Sequence, residues 1–203
     1  MPHWLYRRVG AHFRSRRARW FLGQFAACRT VIDLGGTVES WSPLLSNRLL
    51  PNGQRPAWEI TLVNREPQPA QPPLSFLQAD ACCVPLGGPF DLAFSNSVIE
   101  HVGGPDRQQD FASELLRLGR RVYCQTPNRW FPVEPHFLGL FVHWLPAGWL
   151  RRLHPRFTLN GARGRPWEPV RLLTRRDLQR LFPGCHIRVE RFLLWPKSFI
   201  VWR

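Results

Sequence analysis

Lysine is almost absent from this chain of 203 residues: Lys197 is the only one, and arginine carries the rest of the basic charge. Acidic residues are scarce as well, 14 against 28 Lys+Arg, which leaves a formal net charge of +14. That balance favours an anionic partner: nucleic acid, an acidic membrane surface, or a phosphorylated or carboxylated substrate. The plainer alternative is a solvated arginine-rich face. No CxxC pair occurs among the five cysteines, Cys28, Cys82, Cys83, Cys124 and Cys185. Adjacent Cys82 and Cys83 do not by themselves make a tetrahedral zinc site, so the five read as reduced thiols of a cytoplasmic protein. The basic start, Met1 to Arg19, lacks the apolar run of a secretory leader. No stretch of about 18 uncharged apolar residues is present, so no transmembrane helix is expected. The segment Phe137 to Leu150 is apolar but too short to span a bilayer, and it carries His143. No internal repeat points to a solenoid.

What is present suits one globular domain over 1–203, with 44% hydrophobic and 21% charged residues. Within it, 1–29 reads as an N-terminal helical segment and 129–172 as a lid or acceptor insertion. His12 to Ala27 has helical spacing in Phe13, Trp20, Phe21 and Phe25, with Arg14, Arg16, Arg17 and Arg19 mostly on other faces. Thr30 to Leu34 is a buried strand closed by Gly35-Gly36, and Ser40 to Leu50 the next helix. Further strands are expected at Glu59–Val63, Leu74–Ala79, Phe90–Phe94 and Arg120–Gln125, with a helix at Gln108–Leu118 before the last. Pro132 to Pro155, rich in aromatics and proline, reads as a loop and short helix over the active edge. Thr174 to Phe182 reads as a helix capped by Thr174 with Asp177. His186–Leu194 and Ser198–Trp202 would form a hairpin around Trp195-Pro196-Lys197.

Strands alternating with helices predict an α/β fold: a Rossmann-like doubly wound sheet, mostly parallel with an antiparallel terminal strand, and helices on both faces. Ligands bind such sheets at the carboxyl edge, near the switch in strand order. Asp33, Asn64, Asp80, Asn96 and Asn128 all fall at strand ends on that edge. A glycine there lets backbone approach a ligand, and Asp33 can accept from a cationic amine. The structural alternative is that Asp33 and Asp80 merely cap the segments that follow them.

Four segments in order, V31-I-D-L-G-G-T37, I60-T-L-V-N64, F76-L-Q-A-D80 and F90-D-L-A-F-S-N-S-V-I-E-H101, resemble the class I S-adenosylmethionine-dependent methyltransferases, in their type 11-like branch. The resemblance spans about residues 12–202. It implies S-adenosyl-L-methionine as cofactor, with Asp33 and Gly35 at its amino-acid part and Gly36 and Thr37 lining the same loop. It also implies Asn64 at the ribose, Asp80 and the Ala81 N–H at the adenine, and Asn96 near the sulfonium. Thr37 and Glu39 stand where that family commonly has later glycines, and Asn64 where it usually has an acidic residue. His101 is suited to take a proton from an acceptor hydroxyl near pH 7, its alternative being a ring that packs the following helix. Relatives that use the Glu-His pair for a divalent metal carry a further acidic residue where this chain has Ser97, so no metal is expected. The loop Thr126 to His136 would line the acceptor pocket, with Asn128, Trp130, Glu134 and His136 as candidate substrate contacts.

The expected activity is therefore methyl transfer to a small-molecule or lipid-like acceptor. The alternative is a catalytically degenerate module of the same fold that binds RNA or an anionic membrane surface. For that role Arg151, Arg152, Arg163, Arg165 and Arg171, with Trp149 and Trp167, offer phosphate and stacking contacts. Phe141, Trp144, Leu145, Trp149 and Leu150 would be the lipid contacts.

Overall fold

The computed structural model describes residues 3–47, 56–132, 141–146, 148–152 and 169–203. Seven strands form one sheet: β1 (Thr30–Leu34), β2 (Glu59–Asn64), β3 (Leu74–Gln78), β4 (Phe90–Asn96), β5 (Gly119–Pro127), β6 (His186–Phe192) and β7 (Trp195–Trp202). Their order is β3-β2-β1-β4-β5-β7-β6. The first five are parallel, and β7 lies antiparallel between β5 and β6. Helices α1 (His3–Phe25), α2 (Val38–Asn47), α3 (Pro105–Leu118) and α4 (Arg175–Leu181) pack around the sheet, and 142–144 and 148–152 add short helical turns. The order reverses between β1 and β4, which puts the switch point at the ends of these two strands.

The central strands are near-continuous apolar runs because both faces are covered. On one face Ile32, Leu34, Ala93, Val122 and Cys124 pack with Phe111 and Leu115 of α3 and Leu178 of α4. On the other, Val31, Leu62, Phe94 and Tyr123 meet Phe21 and Phe25 of α1 and Trp41 of α2. The second face is largely aromatic. Phe94 and Tyr123 stack with centroids 4.8 Å apart, Phe21 meets both edge-on at 5.2 and 5.1 Å, and Trp41 lies 4.9 Å from Phe94. Such pairs contribute roughly 0.5–1.5 kcal/mol each beyond area burial. Trp41 and Trp58 are enclosed here.

The hydrophobic periodicity located all seven strands and four helices, and the differences lie at the ends. Helix α1 starts at His3 rather than His12, and α3 at Pro105, since proline at the first turn needs no N–H partner. The capping box at Thr174 forms as expected: its Oγ accepts from Asp177 N at 3.2 Å, and Asp177 Oδ2 accepts from Thr174 N at 2.9 Å. The terminal hairpin does not turn at Trp195-Pro196-Lys197. These residues are in β7, and the chain reverses at Leu193-Leu194, with Leu193 at φ 53°. A two-residue loop of this kind usually carries Asn or Gly, so the sequence held no signal for it. All five cysteines are outside disulfides.

Candidate functional site

Asp33 sits in β1 on the face shared with α1 and α2, between Leu62 of β2 and Phe94 of β4 in register. It is 1% exposed. The Trp41 indole N–H donates to its Oδ2 at 2.6 Å, while Oδ1 is buried without a polar partner among the described residues. Burial pushes the Asp33 carboxyl up to about 7, and the Trp41 hydrogen bond only partly opposes this. Gly35 follows at φ 81°, and its N–H donates to Val63 O at 2.7 Å. A Cβ at Gly35 would stand 2.4 Å from Val98, and one at Gly36 would stand 2.1 Å from Asp33 Oδ2. The two glycines thus admit the Val98 side chain and the Asp33 carboxylate, a role in packing that the sequence reading did not foresee.

Asn64, at the end of β2, braces the same turn. Its side-chain NH₂ donates to Gly36 O at 3.1 Å and Gly35 O at 3.4 Å, and its Oδ1 accepts from Glu66 N at 3.1 Å. Thr37 Oγ1 accepts from Ser40 N at 3.3 Å at the start of α2. Asp33, Gly35, Gly36, Thr37 and Asn64 are therefore one connected group at the ends of β1 and β2.

Asp80 lies farther along the edge, after β3. Arg107 of α3 donates to both its oxygens at 2.6 and 2.7 Å, Arg65 donates to Oδ2 at 2.8 Å, and Cys82 N to Oδ1 at 2.9 Å. Although burial works against it, these donors hold the Asp80 carboxyl well below the usual carboxylate range. Neighbouring Ala81 is half-buried.

Asn96 ends β4 on the same face as Asp33, and its Oδ1 accepts from Arg17 Nη1 of α1 at 3.0 Å. Arg17 also forks onto Glu190 of β6, at 3.2 and 2.6 Å, and Ser198 Oγ donates to Glu190 at 2.5 Å. The helical pattern placed Arg17 with the outward arginines. Instead its side chain is 13% exposed and ties α1, β4 and β6 together. Its partners lie 79 and 173 residues away, beyond what helical spacing can report. Beside this contact, α1, α2, β4 and β5 enclose a cavity of about 280 Å³, walled by Phe21, Leu44, Phe94 and Tyr123 and reached by Arg14 and Asn96.

Past β4, Ser97 holds φ 58° and its hydroxyl donates to Gln125 Oε1 at 2.9 Å. The turn brings His101 N to Val98 O at 2.8 Å, with the His101 side chain partly exposed. Glu100 is fully buried and accepts from Thr126 Oγ1 at 2.9 Å on the α3 side of the sheet. Asn128 is 4% exposed. Its NH₂ donates to Pro196 O at 2.7 Å and its Oδ1 accepts from Trp130 N at 3.1 Å, so its amide pins the β5 exit to β7. Trp130 is exposed, while Glu134 and His136 lie outside the described residues. Among the described residues, no group of three or more His, Cys, Asp or Glu could hold a metal ion.

This fold has counterparts among solved structures. The magnesium protoporphyrin IX methyltransferase of Synechocystis PCC 6803, solved with bound SAH, superposes with a TM-score of 0.57 at 14% identity, over 96% of this chain and 83% of that one. The Burkholderia thailandensis 1,6-didemethyltoxoflavin-N1-methyltransferase, solved with 1,6-didemethyltoxoflavin and S-adenosylhomocysteine, gives 0.55 at 13%, over 91% and 74%. This chain has the class I methyltransferase fold. The same methyltransferase fold aligns with a possible exported protein of Bordetella parapertussis at a TM-score of 0.60 and 13% identity, covering 94% of this chain and 66% of that one. No family model matches the sequence. Two curated proteins of Mycobacterium tuberculosis strains, both described as uncharacterized, are 46% identical over 48 residues, or 24% of this chain. The match spans 16% of the length of those proteins.

Proposed function

We propose that the β1–β2–β4 edge binds S-adenosyl-L-methionine and that the chain transfers its methyl group to a small-molecule or lipid-like acceptor. The observation that carries this reading is Asp33: a fully buried carboxylate at the switch point, with one oxygen lacking a partner among the described residues. An unsatisfied buried acceptor is costly, and in a functional site it fits a ligand that brings a cation. The ammonium of an amino-acid-bearing ligand suits that oxygen. Asn64 would meet the ribose hydroxyls, Asp80 and the Ala81 N–H the adenine, and Asn96 the sulfonium end. The chemistry supplied by the bound cofactor is an electrophilic methyl on a sulfonium.

The chain's own residues would position the acceptor. The aromatic cavity beneath α1 has room for an apolar group, and Arg14 among its lining residues favours an acceptor that carries negative charge. His101 would take the proton that a hydroxyl acceptor loses. Trp130, Glu134 and His136 remain candidate acceptor contacts, as does Asn128, whose amide is engaged with Pro196 and Trp130.

One observation favours a binding module that has lost catalysis: Asp80 already serves four hydrogen bonds within the chain, and Asn64 spends its amide on the glycine turn. Calorimetric titration with S-adenosylhomocysteine separates the two readings. Saturable binding that Asp33→Ala and Asp80→Ala each weaken at least tenfold supports the methyltransferase; no detectable binding by the wild-type chain refutes it.

A further inference from the structure

Three segments far apart in sequence meet where β5 leaves the sheet. The β5 exit (Asn128–Pro132) is fastened to the hairpin by Asn128 N donating to Lys197 O at 3.0 Å, and Phe131 touches Phe192 with centroids 6.4 Å apart. Residues 141–145 are fastened to the same exit: Trp144 Nε1 donates to Arg129 O at 2.8 Å, and the Trp144 ring lies 6.0 Å from Trp130 and 4.8 Å from Phe141. The β5 exit therefore lies between the hairpin and residues 141–145.

The face that these segments present is apolar and open. Leu193 and Leu194 at the hairpin tip are 82% and 90% exposed, and Trp195 and Trp130 are just over half exposed. Phe141, Trp144 and Leu145 add to it, and Trp149 lies on the helical residues that follow. A soluble surface rarely gathers so many large apolar side chains. The tip is more pointed still, because a two-residue loop with φ 53° favours Asn or Gly and here holds Leu193. A leucine kept in a strained, fully wet position implies that another surface takes it up.

The charge around the face says which surface. Arg129, Arg151, Arg152 and Arg191 are exposed and Lys197 is half-buried, while the described residues 128–132, 141–146, 148–152 and 191–197 include no aspartate or glutamate. Exposed tryptophans, exposed leucines and exposed arginines with no acidic residue in the same segments suit interfacial attachment to anionic lipid. Nucleic acid would be met by aromatic faces and arginine, but it offers nothing to a leucine tip. A protein groove would take the leucines without needing a purely basic rim.

We propose that this face docks the chain on an anionic membrane surface, with Leu193, Leu194 and Trp195 as the inserted tip and Arg129, Arg151, Arg152 and Arg191 on the headgroups. The proposal stands on this surface alone and does not depend on the methyl-transfer reading. Docking would bring the sheet edge next to the bilayer, where a lipid-like acceptor would be available.

The test is sedimentation of the full chain with vesicles of phosphatidylcholine alone and with 30% phosphatidylglycerol, composition chosen to give a strongly anionic surface. Wild type should bind the anionic vesicles at least tenfold more tightly, with tryptophan emission quenched by brominated lipid. Leu193→Ser with Leu194→Ser should lose at least tenfold and the quenching, with melting temperature kept because both side chains are solvent-exposed. Arg151→Gln with Arg152→Gln should remove the preference for anionic vesicles. Absence of vesicle binding overturns the proposal. So does binding that the serine tip leaves unchanged, or an affinity for a single-stranded RNA equal to that for vesicles.

Discussion

The indole N–H of Trp41 donates to Oδ2 of Asp33 at 2.6 Å, in a pocket from which water is shut out. The pair links the first strand to the helix after the glycine turn, and it is the one donor that the described residues give to this carboxylate. Trp41→Phe keeps a ring but removes the donor. The cost should be about 2–4 kcal/mol, from the smaller ring and the lost hydrogen bond. The two parts separate by pH. Without the donor the carboxyl rises further above about 7, so the deficit should widen between pH 6 and 9. Urea titrations at several pH values check this, and a deficit independent of pH would show that the hydrogen bond carries none of it.

Asp33 itself should make the protein less stable as pH rises. Its ordinary value is 3.8 and its folded value about 7, so between these the folded state holds a proton that the unfolded chain has lost. Its contribution to stability is complete below pH 3.8 and is lost as pH rises through 7. A shift of that size corresponds to roughly 4 kcal/mol. Asp33→Asn should therefore be more stable than wild type at pH 8, by roughly 2–4 kcal/mol, with little difference at pH 4. The same variant should bind S-adenosylhomocysteine more weakly, a trade of stability against function. If Asp33→Asn is less stable than wild type at pH 8, the carboxylate is not strained in the folded state.

Much of this was readable from sequence, and the reasons are local. Each central strand is a short apolar run stopped by Gly, Asn or Asp, and those stops fell on one edge because parallel strands put all their carboxyl ends there. The Thr174 cap was legible because Asp177 stands three residues on. Three features were not. Arg17 looked solvated because its partners Asn96 and Glu190 come from distant strands. Gly35 and Gly36 were legible as a turn where backbone can approach a ligand, but that their missing Cβ atoms also make room for Val98 and Asp33 was not. The Leu193-Leu194 turn carries no turn residue at all, since tertiary pairing of β6 with β7 overrides the local preference.

Arg17 and Glu190 should behave as a coupled buried pair. Their side chains are 13% and 8% exposed, and removing one leaves the other charged and enclosed. Arg17→Met and Glu190→Gln should each cost about 3–5 kcal/mol, while the double variant should cost far less than their sum. Burial opposes it, but Arg17 and Ser198 hold Glu190 below its ordinary value of 4.5, so the pair's contribution is present above that pH and lost as pH falls below it. A denaturation cycle at pH 7 and pH 3 measures both effects, and strict additivity at pH 7 would mean that the fork onto Glu190 is not formed in solution.

Gly36 offers a test of the turn that does not involve a ligand. A methyl at this position would stand 2.1 Å from Asp33 Oδ2 and 2.4 Å from its Cγ, which no relaxation of a few tenths of an ångström can absorb. Gly36→Ala should therefore destabilise by about 3 kcal/mol or more. Truncating Asp33 to alanine deletes both of those atoms and leaves only Cβ, at 3.0 Å. In an Asp33→Ala background the added methyl should cost about 1 kcal/mol or less. Thermal and urea unfolding of the four proteins closes the cycle. An equal cost in both backgrounds would mean that Gly36 is demanded by its backbone, and that the carboxylate does not lie beneath it.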